Sequence, residues 1–188
     1  VSKLFTNAFS LAIIIASSTM FLRILFEILV VNRALLSTLI IPLGLMTLTG
    51  AGFSYYYYKI KKEEKSEKLE LKSPFTLNPA IKFGLFFAFI LFISKAAQIY
   101  LGSAGIYLTS LLSGLADVDA ITLSMANLAA NNTITEKVAT SAITLAALSN
   151  TFVKGGIVYF AGSKELRKKI IISFGSILIV GLLSILLF

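Results

Sequence analysis

The sequence lacks two residue types on which many functional sites depend, since it contains neither cysteine nor histidine. Disulfide bonds, zinc sites of the Cys/His kind, haem ligation by histidine and Cys–His catalysis are therefore excluded. It also has no Walker A loop and no G-x-S-x-G elbow, so we expect no ATP-driven transport by this chain alone and no enzyme activity. The chain begins with Val1 and shows no basic–apolar–small cleavage pattern, so we expect no removable signal peptide.

The chain also has too little polar surface for a water-soluble globular domain. Hydrophobic residues make up 57% of it and its mean hydropathy is +0.89, whereas soluble domains are about 45–50% apolar. The net charge of +8 could suggest nucleic acid as a partner. However, the lysines cluster beside hydrophobic runs, where they act as membrane-surface anchors, so we expect a lipid bilayer and no nucleic acid.

Six apolar segments follow one another, each near or above the roughly 20 residues that cross a bilayer. They cover residues 7–31, 35–58, 77–101, 104–130, 135–162 and 169–188. Because unsatisfied backbone is not tolerated in lipid, all six should be helical. We predict an all-α membrane protein of one domain, with about five transmembrane helices and one broken hairpin. Within residues 1–188 we distinguish a first hairpin (1–58), a cytoplasmic loop of six lysines and four glutamates (59–72), and a second repeat (73–188).

The fourth apolar segment is interrupted by two acids, Asp117 and Asp119, shortly after Gly114. If this segment crossed the membrane once, the basic loops at residues 59–72 and 164–169 would face opposite sides, against the positive-inside tendency. If it is a re-entrant hairpin, its halves of roughly 18 Å reach the midplane and return, and both loops lie inside. We prefer the re-entrant hairpin, and a broken helix that still spans is the alternative.

Two parts of the chain resemble each other at a constant offset, which predicts a partial inverted internal repeat. The stretch from Ser18 to Arg23 aligns with the stretch from Ser149 to Lys154. The same offset matches Arg33 with Lys164, Leu35 with Leu166, Gly44 with Gly175, and Gly50 with Gly181. A re-entrant fourth segment gives the two related hairpins opposite orientations, as in many secondary transporters. Chance similarity between two apolar hairpins is the alternative explanation.

The acids of the broken segment are the first candidates for a functional site, because a charge in hydrocarbon costs at least about 2.5–3.5 kcal/mol. Asp117 could serve only as a helix N-cap, with Asp119 in the first turn, where the helix dipole favours it. Alternatively, both acids bind an ion at the midplane, and Ser113, Ser124 and Asn127 extend a polar stripe. Oxygen-rich clusters suit Mg²⁺, Na⁺ or protons, so these two acids are the candidate metal ligands.

The fifth segment contributes a second pair of candidates, Asn150 and Lys154, which lie one helical turn apart on one face. A lysine within a membrane usually pairs with an acid, and Asp117 or Asp119 is the expected partner. The alternative is that this pair only ties two helices together.

Four further polar residues are predicted to support the site. Arg23 and Glu27 form an i, i+4 pair in the first segment that is expected to be mainly structural. Lys95 and Gln98 give the third segment a polar side, although Lys95 could instead snorkel to the membrane surface.

Three stretches of the chain, residues 20–27, 114–126 and 148–154, resemble the prokaryotic membrane domain of unknown function numbered 4010. The resemblance covers essentially the whole chain and implies a polytopic inner-membrane protein. That domain often follows an MgtC/SapB-type domain in one polypeptide, which associates it with magnesium only indirectly. Its members usually carry another spanning segment and another broken segment before the part matching residues 7–31, so this chain resembles a truncated or split member.

The leading hypothesis is a secondary transporter or channel-like permease for a small cation or proton in a prokaryotic inner membrane. Asp117 and Asp119 would bind the ion, and Asn150 and Lys154 would line the same site. A non-transporting scaffold or regulatory subunit is the alternative, because an incomplete repeat leaves polar surface for a partner membrane chain or a second copy to cover. An intramembrane enzyme that uses the two acids on lipid ranks last, since no nucleophile is evident nearby.

Overall fold

The computed structural model describes residues 3–61 and 105–187, with side chains for residues 6–60 and 105–187. Almost all of this part is helical, and no strand occurs in it. The helices are α1 (Lys3–Val31), α2 (Arg33–Lys61), α3 (Ile106–Ala116), α4 (Asp119–Ala130), α5 (Glu136–Ala161) and α6 (Lys164–Leu187). Four of them, α1, α2, α5 and α6, are long and apolar enough to cross a membrane. The prediction of an all-α membrane protein is confirmed, whereas the third apolar segment, with Lys95 and Gln98, lies outside the described residues.

Helix α6 begins at Lys164, five residues before the predicted start at residue 169. The N–H of Arg167 donates to the carbonyl of Ser163 at 2.9 Å, and the N–H of Leu166 lies 3.4 Å from the Ser163 hydroxyl. Ser163 therefore caps a charged first turn that hydropathy alone does not assign to a helix. Hydropathy marks the part of a helix that suits lipid, and the helix itself extends beyond that part.

The four long helices form two hairpins that pack on each other. Helices α1 and α2 are joined at Asn32, and α5 and α6 are joined at residues 162–163. Helix α6 packs on α1, α2 and α5, so both hairpins share one core. Fully buried side chains of that core include Phe21, Ile24, Leu39, Met46, Ile143 and Ile177. Because lipid is as apolar as this core, close packing rather than hydrophobic transfer holds the helices together.

The two ends of the bundle differ in charge. The Tyr57 hydroxyl donates to the Lys169 carbonyl at 3.5 Å, and the Lys169 ammonium donates to the Asn7 side chain. These contacts bring the start of α1, the end of α2 and the start of α6 together at what we term the basic end. It carries Lys59, Lys164, Arg167, Lys168 and Lys169 with Glu165, whereas the far end carries Arg33 and Lys137 with Glu136.

Helices α3 and α4 turn back within the bundle. Ile106 and Tyr107 at the start of α3 line the same cavity as residues 132–135, which follow α4. The segment therefore enters and leaves at the far end of the bundle. Its helices of 11 and 12 residues are each about 16–18 Å long at 1.5 Å per residue. The re-entrant interpretation, which places this geometry in a bilayer, requires such an arrangement and stays a prediction.

Equivalent positions of the proposed repeat make equivalent contacts. An added Cβ on Gly50 would lie 3.2 Å from the Ser18 Cβ, and one on Gly181 would lie 2.6 Å from Leu148 Cδ2. Both glycines thus let the second helix of a hairpin approach the same region of the first. Apolar pairs that share the offset and are buried in both α2 and α6 include Leu39 and Ile170, Leu43 and Phe174, and Met46 and Ile177. The repeat stays a prediction that these contacts support.

Candidate functional site

The site is centred on the break between α3 and α4. Asp117 ends α3, because its extended backbone (φ −151°, ψ 138°) leaves the helix while its N–H still donates to the Ser113 carbonyl at 2.8 Å. One Asp117 side-chain oxygen then accepts the N–H of Asp119, at 3.2 Å. The N-cap position of α4 is Val118 rather than Asp117, and Asp119 lies in the first turn. Asp117 therefore bridges the break, and Asp119 carries its charge where the helix dipole favours it.

Asp119 pairs with Arg23 of α1, 96 residues away in the chain. The distance from Arg23 Nη2 to Asp119 Oδ1 is 2.5 Å, whereas Arg23 Nε lies 3.7 Å from Glu27 Oε1. The sequence predicted that Arg23 and Glu27 would neutralise each other, and this pair is present, but the shorter contact of Arg23 joins two different helices. Arg23 thus stands between two carboxylates and connects α1 to the start of α4.

Lys154 lies beside the Arg23–Asp119 pair but forms no ion pair with any described carboxylate. Its ammonium donates to the Met20 sulfur at 3.2 Å, and in residues 6–60 and 105–187 it makes no ion pair. The predicted pairing of Lys154 with Asp117 or Asp119 is wrong, because its ammonium forms an ion pair with neither carboxylate and Arg23 occupies Asp119. Lys154 nevertheless lies within electrostatic reach of both Arg23 and Asp119. The predicted repeat makes these two basic residues equivalent, and both act on the same carboxylate.

We define the charged cluster as Arg23, Glu27, Asp117, Asp119 and Lys154. Three carboxylates face two cationic groups in it, which leaves one formal negative charge when all are ionised. Arg23 lies eight residues, about 12 Å, from the end of α1, and Lys154 lies seven residues, about 10 Å, from the end of α5. The cluster is therefore inside the length of the spanning helices and not at their termini.

Asn150 anchors the broken segment from α5. Its side-chain amide donates to the Gly114 carbonyl at 3.0 Å, and the neighbouring Ser149 hydroxyl donates to the Leu111 carbonyl at 2.7 Å. Carbonyls in the last turn of a helix have no partner within the helix, so Asn150 satisfies a group that the break leaves open at Gly114, and Ser149 adds a second contact one turn earlier. Gly114 makes this approach possible, because an added Cβ would lie 2.3 Å from the Ala146 carbonyl oxygen.

Two acceptor oxygens near the break are buried and have no hydrogen-bond partner within the described part of the chain. They are Glu27 Oε2 and Asn150 Oδ1. Buried polar atoms are nearly always satisfied in folded proteins, so such atoms beside surplus carboxylates are candidates for contact with a proton, a cation or water. Thr122 Oγ1, one turn beyond Asp119, is also buried and unpartnered. Thr122 was missed from the sequence, although its i+3 spacing from Asp119 placed it on the same face.

Asn127, the far end of the stripe predicted to include Ser124, does not reach the cluster. Asn127 is exposed, and its amide donates to the Leu123 carbonyl of its own helix at 2.9 Å. It lies eight residues, about 12 Å, beyond Asp119 along α4. No set of three or more acidic side chains in the described ranges is arranged to hold a metal ion. Asp117 and Asp119 alone therefore carry the metal prediction, and Asp119 is engaged by Arg23.

The cluster is open on one side. The Arg23 side chain is 54% exposed and the Asp119 side chain is 35% exposed. Because an uncovered charge in hydrocarbon is unfavourable by several kcal/mol, in a membrane this side must face water or polypeptide beyond the described residues. The arrangement can exchange a proton or a small cation with a solvated space, but it is not a closed binding pocket.

Comparisons with known proteins give the family of the chain. The family model described as a domain of unknown function, DUF4010, matches residues 2–162. An uncharacterized protein of Aquifex aeolicus (strain VF5) is 34% identical over 165 residues, which are 86% of this chain and 71% of that relative. No solved structure matches the chain. The chain therefore belongs to the DUF4010 family, as its resemblance predicted, whereas the association with an MgtC-type domain stays an expectation.

Proposed function

We propose that this member of the DUF4010 family is a membrane permease for a proton or small cation, which passes through the charged cluster. The observation that carries this proposal is the excess of carboxylates: Arg23 is shared between Asp119 and Glu27, and one formal negative charge is left over. A cluster with surplus acid at a break in a membrane helix is the usual setting of ion sites in secondary transporters.

Exchange of Arg23 between its two carboxylates gives the site a mechanism. When an ion or proton neutralises Asp119, the attraction between Asp119 and Arg23 is lost, and the guanidinium moves toward Glu27, 3.7 Å away. Because Asp119 is the first residue of α4, this step also loosens the contact between α1 and the broken segment. Lys154 repels Arg23 and attracts Asp119, so it competes with a bound cation for the same carboxylate.

Flux through vesicles that contain only the purified chain tests this proposal. We expect Asp119→Asn to abolish uptake, because the variant keeps the size of the side chain but loses the exchangeable charge. Asn127→Ala, on the same helix but outside the cluster, should transport like the wild type. Vesicles loaded in turn with indicators of H⁺, Na⁺ and Mg²⁺ identify the ion, and size-exclusion chromatography in detergent checks that each variant is folded. Equal flux from wild type and Asp119→Asn for every ion contradicts the proposal.

A specific observation also favours the second candidate, a non-transporting scaffold or regulatory subunit. Phe21 and Ile28 of α1 are fully buried, whereas their equivalents in the repeat, Phe152 and Tyr159 of α5, are 68% and 48% exposed. The uncovered face of α5 lies on the helix that carries Lys154. We propose that a membrane helix with a carboxylate, from a second copy or a partner chain, covers this face. The two candidates differ in one measurement, since a scaffold shows no flux for any ion while its purified complex contains the second polypeptide.

The charge asymmetry supports a placement in the cytoplasmic membrane of a prokaryote. Five basic residues mark the basic end, against two at the far end, among the residues whose side chains are described. By the positive-inside tendency, the basic end faces the cytoplasm and the broken segment enters from the outer side.

A further inference from the structure

A cleft of about 790 Å³ lies at the basic end, between the end of α2 and the start of α6. Its floor is apolar, with Leu48, Phe53 and Ile172 among the lining residues. Polar groups lie toward the helix ends that meet there, and they include Tyr56, Lys168 and Lys169. We name this feature the basic cleft.

The length of the basic cleft fits a lipid chain. Its α2 lining runs from Leu48 to Ile60, and the twelve steps between these residues rise about 18 Å along the helix. One leaflet of a bilayer contributes about 15 Å, half of the roughly 30 Å of hydrocarbon. The apolar lining therefore extends from the basic end over about the depth of one leaflet.

The charges at the mouth fit an anionic head group. Lys168 is exposed and makes no hydrogen bond or ion pair with any described residue. Lys169 is held in place by Asn7 and by the Tyr57 ring, whose centroid lies 5.7 Å from the ammonium. Glu165 is the one acidic residue of the lining, so the mouth keeps a net positive charge. Basic pockets between membrane helices on the cytoplasmic side commonly bind anionic lipid head groups.

We propose that the basic cleft binds one anionic phospholipid, with its phosphate at Lys168 and Lys169 and one acyl chain along α2. A soluble anion would use the lysines but leave the apolar floor without a function. A zwitterionic lipid would fill the floor but offer the lysines no net charge. The combination of both features therefore selects an anionic lipid.

Native mass spectrometry of the purified full chain tests this inference. Phosphatidylglycerol and phosphatidylcholine with identical acyl chains are added in separate arms, and glycerol phosphate is added as a competitor in a third. We expect one phosphatidylglycerol to be retained per chain, with no retained phosphatidylcholine and no displacement by glycerol phosphate. Retained phosphatidylcholine, absence of a phosphatidylglycerol adduct, or displacement by glycerol phosphate would each overturn the proposal.

Two pairs of variants locate the bound lipid. Lys168→Gln should weaken phosphatidylglycerol binding about fivefold, as expected for one basic group near an anionic surface, while Lys164→Gln on the same helix should not.

Gly52→Leu should fill the cleft without changing its charge, because an added Cβ at Gly52 meets no heavy atom within 4 Å. Gly44→Leu is the matched control, since Gly44 is equally open on α2 but lies outside the cleft. Wild-type binding by both Lys168→Gln and Gly52→Leu would place the lipid elsewhere and refute the inference.

Discussion

Arg23 controls the balance of charge at the break because it contacts two carboxylates at unequal distances. The distance from Arg23 to Asp119 is 2.5 Å and the distance from Arg23 to Glu27 is 3.7 Å, so the guanidinium interacts more strongly with Asp119 than with Glu27. The second oxygen of Glu27, Oε2, is buried and has no partner in the described stretches. Glu27 is therefore the carboxylate with unused capacity, and it is the natural receiver of Arg23 after Asp119 is neutralised.

Glu27→Gln separates transport from stability at this site. The variant keeps the Arg23–Asp119 pair but offers Arg23 no second charge, so we expect flux in vesicles to fall at least about tenfold, which corresponds to roughly 1.4 kcal/mol on the barrier. The melting temperature in detergent should stay close to that of the wild type, because the shorter ion pair is untouched. Wild-type flux from Glu27→Gln would show that Arg23 does not exchange between the two acids.

Arg23→Met tests whether the ion pair stabilises the fold. Exposed ion pairs contribute about 0–1 kcal/mol, and breaking a buried one costs about 3–5 kcal/mol. Since the two side chains are 54% and 35% exposed, we expect a loss of about 1–3 kcal/mol, between these limits. Arg23→Met combined with Asp119→Asn should recover part of it, because Asp119 then no longer leaves a charge that has lost its partner. Thermal unfolding of the four proteins in detergent measures the coupling, and strictly additive losses would contradict it.

The sequence identified Asp117, Asp119, Asn150, Lys154 and the Arg23–Glu27 pair as special because each is polar within an apolar segment. It did not identify which base pairs with which acid. Local spacing favoured the contact four residues apart, whereas the shortest contact joins residues 96 apart. Such a pairing depends on how α4 lies against α1, and a single sequence carries no signal for it.

At the level of the helices, the broken segment is held by close contact between α3 and α5. Gly114 lies against the Ala146 backbone, and Asn150 satisfies the Gly114 carbonyl. Small residues let membrane helices approach closely enough for such backbone contacts. The geometry of the break therefore depends on one glycine and one amide that lie on different helices.

Gly114→Ala adds only one methyl group, but it should clearly destabilise the protein. The new Cβ would lie 2.3 Å from a carbonyl oxygen that belongs to the backbone of α5 and cannot rotate away. Overpacking of this kind typically costs about 1–3 kcal/mol, and we expect a lower melting temperature in detergent. Gly175→Ala is the control, because nothing lies within 4 Å of its added Cβ and alanine favours a helix. Equal melting temperatures for the two variants would show that α3 does not need this close approach.

Hydropathy predicted the four long helices and the interruption of the fourth segment, because both follow from apolar length and from charge within it. The start of α6 was missed by five residues, since a capped, charged turn is helical without being apolar. The role of Gly114 was also beyond the sequence. In the sequence, Gly114 only marks a change in composition. In the structure, Gly114 permits close contact with Ala146, 32 residues further along the chain.

For the whole molecule, the arrangement of charge is more informative than its total. Basic residues from α2 and α6 meet at one end, and the broken segment enters and leaves at the other. The sequence favoured that arrangement only through the positive-inside tendency. The open side of the charged cluster and the uncovered face of α5 are features of the assembled bundle, and no segment taken alone predicts them.

Single-cysteine labelling tests the orientation of the bundle cleanly, because the natural sequence contains no cysteine. We expect Lys137→Cys, at the far end, to react with a membrane-impermeant maleimide on intact cells. Lys164→Cys, at the basic end, should react only after the cells are lysed, because the basic end faces the cytoplasm. Both side chains are exposed, so a difference in labelling reports sidedness and not burial. Labelling of both positions on intact cells, or of Lys164→Cys alone, would contradict the orientation in which the broken segment enters from the outer side.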